Sequence, residues 1–161
     1  MNNIEFYLAD AIDVIEEVLS SGGEFRLYPK GTSMLPLIVQ GRDSVILRKN
    51  KDRLKNKDIA LYRRSNGQFV LHRVVKIEKD GTYTMCGDNQ TMLERGIKNE
   101  QIIAYVDRVY HGEKVLCSNS FKYRVYLFFW CCIPLRRILR FLRKCAGRVK
   151  RFFLKMFQKK D

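Results

Sequence analysis

Long apolar runs and paired cysteine motifs are both missing from this sequence. Its longest apolar run, residues 125–135, has 11 residues, whereas a membrane-spanning helix needs about 20. The five cysteines form no Cys-x-x-Cys pair, and their odd number argues against a disulfide framework or a structural zinc site. The first 21 residues carry scattered acidic side chains and no continuous apolar region, unlike a secretory signal. We therefore expect no transmembrane helix, no cleavable signal peptide, no metal and no cofactor.

Acidic residues are almost absent from the C-terminal part of the chain. The whole sequence of 161 residues holds 31 Lys and Arg against 17 Asp and Glu, a net charge of +14. Residues 115–161 carry 13 of the basic residues and a single acidic one, so this tail contributes +12 and the first 114 residues only +2. The sequence thus indicates a nearly neutral domain followed by a strongly basic tail.

An N-terminal helix and a following β domain are predicted from the hydrophobic periodicity. Apolar residues recur at steps of three and four from Ile4 to Leu19, which predicts an amphipathic helix within residues 1–23. Six segments rich in Val, Ile and Tyr follow, with Asn-Gly and Asp-Gly hairpin signals between some of them. They are 24–29, 44–49, 58–64, 68–78, 82–87 and 102–110. We therefore predict an antiparallel β domain over residues 24–116 and assign residues 117–161 to the tail.

Three short stretches together offer the groups of a Ser-His-Asp triad. Ser33 lies in the turn-like stretch KGTSMLPL, and a serine hydroxyl needs a base within hydrogen-bond reach to become a good nucleophile. Of the two histidines, His111 suits a turn, whereas His72 stands mid-strand on a face it shares with valines. Such a histidine is more often a core residue than a base, and Asp88 in CGDNQ would ordinarily bond its local backbone. Together the three residues supply nucleophile, base and orienting acid.

Four stretches, in this order, resemble the boxes of type I signal peptidases and the wider S24/S26 serine peptidase group: GTSMLPLIVQGRD, KNKDIALYRR, VLHRVVKIEKDGTY and CGDNQTMLERGI. The resemblance covers about residues 25–110 and implies the signal peptidase/LexA-like antiparallel β fold. It implies Ser33 as the nucleophile. It implies His72 as the general base, since His-Arg-Val is typical of the endoplasmic-reticulum and archaeal type. The family's Gly-Asp-Asn box matches Asp88, which we favour as the orienting acid, and a second family acid falls on Glu94, which is its rival.

The residues around the serine are candidates for binding the substrate and the oxyanion. They are Gly31, Thr32, Met34 and Pro36. Many members of the resembled group have serine where this chain has Gly31, so we expect backbone N–H groups near Ser33 to stabilise the oxyanion. An unperturbed histidine has a pKa of about 6.5. We therefore expect activity to decrease when the pH drops below neutrality and His72 becomes charged.

The basic tail has the pattern of a helix that lies on a membrane surface. Bulky apolar residues recur at helical spacing from Leu135 to Met156 with basic residues between them, a combination that favours an interfacial helix over a nucleic-acid-binding tail. Packing of the apolar stripe on the β domain is the alternative for residues 121–135. The expected membrane contacts are Trp130, Arg136, Arg137, Arg140, Arg143, Lys144, Phe152 and Phe153.

The sequence therefore predicts a signal peptidase-like serine endopeptidase that removes a leader or signal segment from a precursor polypeptide. We expect it on the cytoplasmic face of an anionic membrane. One alternative is a catalytically silent membrane scaffold that keeps the peptidase fold. Another is a nucleic-acid-associated regulator like the self-cleaving repressors. This last reading is disfavoured because the stretch before the serine box is too short for a helix-turn-helix domain, and because His72 stands where the repressors use lysine.

Overall fold

The computed structural model describes residues 3–49, 52–116 and 120–130, together with Arg136 and Ile138. Within these residues the chain forms two helices and eight strands. They are α1 (Asn3–Ser20), β1 (Phe25–Leu27), β2 (Asp43–Arg48), β3 (Ile59–Arg63), β4 (Phe69–Ile77), β5 (Tyr83–Cys86), β6 (Glu94–Ile97), β7 (Ile102–His111), β8 (Lys114–Leu116) and α2 (Phe121–Trp130). A short 3-10 turn, Asn99–Gln101, leads into β7.

The prediction of a mainly antiparallel β fold is confirmed. All pairings in the sheet are antiparallel, in the order β1-β2-β7-β3-β4-β5-β6, with β8 also paired to β7. The six predicted strands and the N-terminal helix are all present. Two strands were not predicted, β6 with the sequence ERGI and β8 with KVL. Both are short and carry charged residues or glycine, so it is pairing with β5 and β7 that makes them strands.

Buried side chains form two clusters on opposite faces of the sheet. On β3, Leu61 belongs to one cluster, whereas Ala60 and Tyr62 belong to the other, as the alternation of side chains along a strand requires. The first cluster also holds Ile15 and Leu19 of α1, which explains the apolar face of that helix. Each fully buried side chain of this size contributes about 1.5–3 kcal/mol relative to its exposed state.

The two faces of β4 carry different buried basic residues. Val74 lies in the second cluster, so His72, two residues earlier, shares that face, whereas Arg73 points to the other. Opposite His72 in the β3–β4 ladder is Ala60, and opposite Arg73 in the β4–β5 ladder is Cys86. This separation decides which acid each of the two basic residues can meet.

Candidate active site

Ser33 lies in a turn between β1 and β2 that is anchored in the core. Met34, Leu37 and Ile38, which follow it, are buried in the first cluster. Inside the turn the Ile38 N–H donates to the Met34 carbonyl over 3.0 Å. The Ser33 side chain itself is partly exposed and makes no hydrogen bond within the described residues. The turn therefore holds the backbone of Ser33 firmly and leaves its hydroxyl accessible.

The predicted substrate and oxyanion residues divide into two groups. Gly31, Thr32 and Pro36 are exposed around Ser33. Gly31 has φ of +96°, a left-handed conformation that favours glycine, and its N–H donates to Gln40 Oε1 over 2.7 Å. Met34 differs from the prediction, because its side chain is buried in the core and does not reach the surface where a substrate would lie.

A buried carboxylate fixes the far end of the serine turn. Asp43 accepts the Val39 N–H over 2.8 Å and the Arg42 Nε–H over 2.7 Å, and its Oδ2 lies 3.1 Å from His111 Nδ1. Burial raises the pKa of Asp43, but the bonds from Arg42, Val39 and His111 outweigh it and lower the pKa to about 2. His111, expected in a turn, thus ends β7 as a partner of this carboxylate.

His72 is buried and its Nδ1 faces two oxygen atoms. Glu94 Oε1 and the Tyr62 hydroxyl oxygen each lie 3.2 Å from Nδ1. The Tyr62 hydroxyl donates its own proton to Glu94 Oε2 over 2.9 Å. Since both neighbours of Nδ1 act as acceptors, the neutral ring carries its proton on Nδ1 and leaves Nε2 as a free acceptor.

Arg64 holds Glu94 in its charged form. Its guanidinium donates to both carboxylate oxygens, over 2.7 Å from Nε to Oε2. Although burial raises the pKa of Glu94, the hydrogen bonds from Arg64 and Tyr62 lower it overall. For His72, burial lowers the pKa to about 4, and the charge of Glu94 only partly opposes this. The imidazole is therefore neutral, as a general base must be, over nearly the whole pH range in which proteins are stable.

Asp88, which the sequence analysis favoured as the partner of His72, has different partners. It is buried, accepts two hydrogen bonds from Arg73 over 2.8 and 2.7 Å, and accepts a third from the Tyr126 hydroxyl over 2.6 Å. These contacts lie on the face of β4 opposite to His72. The structure thus brings Glu94, and not Asp88, to the Nδ1 of His72.

The turn 87–90 connects the serine turn with His72. The Asn89 N–H donates to the Ser33 carbonyl over 2.7 Å, and Asn89 Nδ2 donates to the Thr32 carbonyl over 3.1 Å. A Cβ atom added to Gly87 would lie 2.7 Å from the Ser33 carbonyl oxygen and 3.1 Å from His72 Nε2. His72 Nε2 and the Ser33 carbonyl oxygen therefore lie close to the same point, and only glycine fits beside it.

Comparison with protein families finds a match over the part of the chain that contains the candidate site. Residues 2–110 match the family described as Peptidase S24-like. The chain belongs to this family. No curated protein and no solved structure shows significant similarity to it. The S24-like match covers α1 and β1 to β7, with Ser33, His72 and both candidate acids, and ends before β8 and α2.

The site residues that sequence reasoning missed are Tyr62, Arg64 and Asn89 of the S24-like domain. The first two lie in the quoted box KNKDIALYRR, and the hairpin signal Asn66-Gly67 pairs that segment with the strand of His72. Hairpin register was therefore the signal that could have drawn attention to Tyr62. Asn89 belongs to the quoted Gly-Asp-Asn box, but no pattern indicated its contacts with the serine turn.

A cleft of about 1150 Å³ lies elsewhere on the S24-like protein, between the end of α1, the loop 52–58, β7 and α2. Neither Ser33 nor His72 lines it, so size alone does not mark the candidate site. Across the part of the chain that the structure describes, no cluster of three or more potential metal ligands occurs.

The predicted membrane contacts are only partly described. No helix among the described residues is long and apolar enough to cross a membrane. Arg136, expected on the membrane face, is 2% exposed and donates to the carbonyls of Gly87 and Gln90. Trp130 is the last residue of α2. The other predicted contacts lie outside the described residues, namely Arg137, Arg140, Arg143, Lys144, Phe152 and Phe153.

Proposed function

We propose that this S24-like protein is a serine endopeptidase in which Ser33 is the nucleophile, His72 the general base and Glu94 the acid that orients His72. The observation that carries the proposal is the position of His72. Its Nδ1 lies 3.2 Å from Glu94 Oε1, and its Nε2 faces the site beside Gly87 that the Ser33 backbone also borders. An ionised carboxylate at Nδ1 together with an available acceptor at Nε2 is typical of a catalytic histidine and not of one that only packs in a core.

The chemistry follows from this arrangement in two steps. His72 Nε2 accepts the hydroxyl proton of Ser33 while Oγ bonds to the scissile carbonyl carbon, and Glu94 stabilises the imidazolium that forms. The tetrahedral intermediate collapses when Nε2 returns the proton to the leaving amine, and an acyl-enzyme remains. A water molecule then gives its proton to Nε2, attacks the acyl carbon and releases the carboxylic acid as Ser33 regains its proton.

A backbone donor for the oxyanion is available at the serine itself. The Ser33 N–H makes no hydrogen bond within the described part of the chain. Met34, Leu37 and Ile38 anchor the turn in the core, so the N–H of Ser33 already has a fixed direction when charge develops on the substrate oxygen. This supports the expectation that main-chain groups, in the absence of a side chain at Gly31, stabilise the intermediate.

We further propose that the substrate is a leader or signal segment of a precursor polypeptide. The support is the order of the sequence boxes and the His-Arg-Val stretch at 72–74, which is similar to that of signal peptidases. Thr32 and Pro36 are exposed on either side of Ser33 and are suitably placed to contact an extended peptide. Their contact with the substrate is part of this proposal.

The outer face of α2 supports a further proposal, that the protein works at an anionic membrane surface. Phe121 is 79% and Phe128 74% exposed, and Val125 between them is also exposed on the same side of the helix. Lys122 and Arg124 are exposed beside them. Apolar and basic side chains presented together are typical of interfacial helices, and the remaining tail adds more positive charge.

Vesicle flotation tests the membrane proposal. We expect the protein to float with vesicles that contain anionic lipid and to remain behind with neutral ones. The double substitution Phe121→Ser with Phe128→Ser should weaken this binding. Val14→Ser is the control, since Val14 is an exposed apolar residue on α1 and not on α2. Equal flotation with neutral and anionic vesicles, or none with either, would contradict the proposal.

A serine-reactive fluorophosphonate probe tests the catalytic proposal. We expect wild-type protein to be labelled and Ser33→Ala to lose the label. Ser21→Ala is the control, because Ser21 is exposed just after the end of α1 and its hydroxyl donates to the Val18 carbonyl. A folded wild-type protein that takes no label and cleaves no peptide would favour the silent scaffold instead.

A further inference from the structure

Helix α2 and Arg136, which follow the family-matched residues 2–110, bind the turn 87–90. Helix α2 packs two tyrosines against the first cluster. The hydroxyl of Tyr126 donates to Asp88 Oδ2 over 2.6 Å, and the hydroxyl of Tyr123 accepts from Arg73 over 3.3 Å. The buried Arg73–Asp88 pair is therefore closed on one side by α2.

Arg136 binds the same turn at both of its ends. Its Nη1 donates to the carbonyl oxygens of Gly87 and Gln90, over 2.7 Å each, and lies 3.6 Å from Cys86 Sγ. The Gln90 N–H also donates to the Gly87 carbonyl over 2.9 Å, which closes the turn. Arg136 is 2% exposed, so its guanidinium has lost its hydration. The bonds to the two carbonyls offset part of that cost and hold the side chain in place.

The opposite side of the turn touches the proposed catalytic residues. The Asn89 N–H holds the Ser33 carbonyl at 2.7 Å, and Gly87 is wedged beside the Ser33 carbonyl and His72 Nε2. A shift of the turn would change the position of Ser33 relative to His72. In enzymes a displacement of about 1 Å between reacting groups can reduce the rate by about 10²-fold.

We propose that Tyr126 and Arg136 are positioning residues of the active site, which hold the turn 87–90 against Ser33 and His72 from behind. The inference rests on the proposed function of Ser33 and His72. It makes α2 and Arg136 functional parts of the peptidase, although both lie outside the matched S24-like region. Arg136 thereby has a role different from the membrane contact that its sequence context indicates.

The test uses Arg136→Gln and Tyr126→Phe in the full-length protein. We expect kcat for peptide cleavage to fall about 10- to 100-fold with KM changed by less than about twofold, because the turn positions the reacting groups. Amide hydrogen exchange in a peptide covering residues 84–92 should become faster in both variants. Arg26→Gln and Tyr28→Phe are the matched controls, since both side chains are exposed and neither contacts the turn.

The outcomes separate this inference from the proposed function. If Ser33-dependent cleavage exists and the two variants keep wild-type kcat, the inference is overturned and the function stands. If the wild type shows no Ser33-dependent cleavage, the function fails. Exchange in residues 84–92 and the NMR signals of the His72 ring then decide the inference, and unchanged values in both variants overturn it. Tyr126→Phe removes a single oxygen, so it keeps the test valid if Arg136→Gln does not fold.

Discussion

Glu94 Oε1 lies 3.2 Å from His72 Nδ1, whereas Asp88 is bound by Arg73 on the opposite face of β4. The two carboxylates therefore bind different basic residues. Glu94, held by Arg64 and Tyr62, is in position to orient the proposed base. Asp88 neutralises a buried guanidinium and ties the turn 87–90 to the sheet. The proposed roles of the two carboxylates can be separated by matched substitutions.

Glu94→Gln should reduce kcat on the order of 10³-fold or more, because the amide no longer guarantees that the proton of His72 is on Nδ1. Asp88→Asn should act mainly on stability, since Arg73 would keep a buried charge without its anion, at a cost of about 3–5 kcal/mol. Peptide-cleavage kinetics and urea unfolding of both variants measure the two effects. The assignment is wrong if Asp88→Asn is folded and inactive while Glu94→Gln remains active.

The pH dependence of cleavage should differ from the one expected of an unperturbed histidine. Because burial lowers the pKa of His72 to about 4, the imidazole stays neutral below pH 6.5, and kcat/KM should fall only as the pH approaches about 4. Removing the carboxylate charge in Glu94→Gln should lower this pKa further, since that charge raises it. A pH profile of kcat/KM reports the free enzyme, and an acid limb with its midpoint near pH 6.5 would refute the prediction.

Acid should destabilise the fold through His72 before it does so through Asp43. The pKa of folded His72 lies below that of the unfolded chain, so only the unfolded state gains a proton between about pH 6.5 and 4. The free energy of unfolding should therefore fall over this window, on the order of 3 kcal/mol. Asp43, with its pKa lowered to about 2, should lose its stabilisation only below about pH 4.

Urea unfolding of the wild type and of His72→Gln at pH 7.5 and 4.5 checks this order. The substituted protein lacks the titrating group and should lose less stability between the two pH values. An equal loss in both proteins would mean that the acid sensitivity in this window comes from other groups.

Gly87→Ala should impair catalysis more than stability. Its Cβ would lie 2.7 Å from the Ser33 carbonyl oxygen, a distance that real Cβ atoms do not tolerate, so the serine turn or the turn 87–90 has to move. Gly67→Ala is the control: Gly67 has φ of +87° with open space around it, so alanine strains the backbone and touches nothing. We expect Gly67→Ala to cost about 1 kcal/mol of stability and to leave kcat unchanged. Wild-type kcat in Gly87→Ala would argue against the close packing of the site.

The main elements of the fold could be predicted because their patterns are local. The alternation along 68–78 and the two hairpin signals are enough to predict an antiparallel sheet, and α1 has a regular apolar face. Strand β6 has no such pattern. Its four residues include arginine and glycine, and they are extended because β5 offers them a ladder. Glu94 is the first residue of β6, so no local pattern placed it beside His72, and only the family resemblance named it, as the rival of Asp88.

The position of Arg136 is a second feature that its local sequence pattern did not predict. Its neighbours in sequence are basic and apolar at helical spacing, which is typical of a surface helix. Its actual environment is a pair of backbone carbonyls at residues 87 and 90. Hydrogen bonds to main-chain oxygens do not depend on the type of the accepting residue. The sequence of the turn therefore does not indicate that Arg136 binds its carbonyl groups.

By itself the sequence determined six of the eight described strands, the candidate nucleophile and base, and the concentration of positive charge in the tail. It also showed that His72 and Arg73 point to opposite faces of one strand. The tertiary structure decided which acid meets which of them, since the distances between β4, β6 and the turn 87–90 depend on register and packing. It also decided the pKa of His72, because the loss of hydration that lowers it exists only when the surrounding sheet has closed.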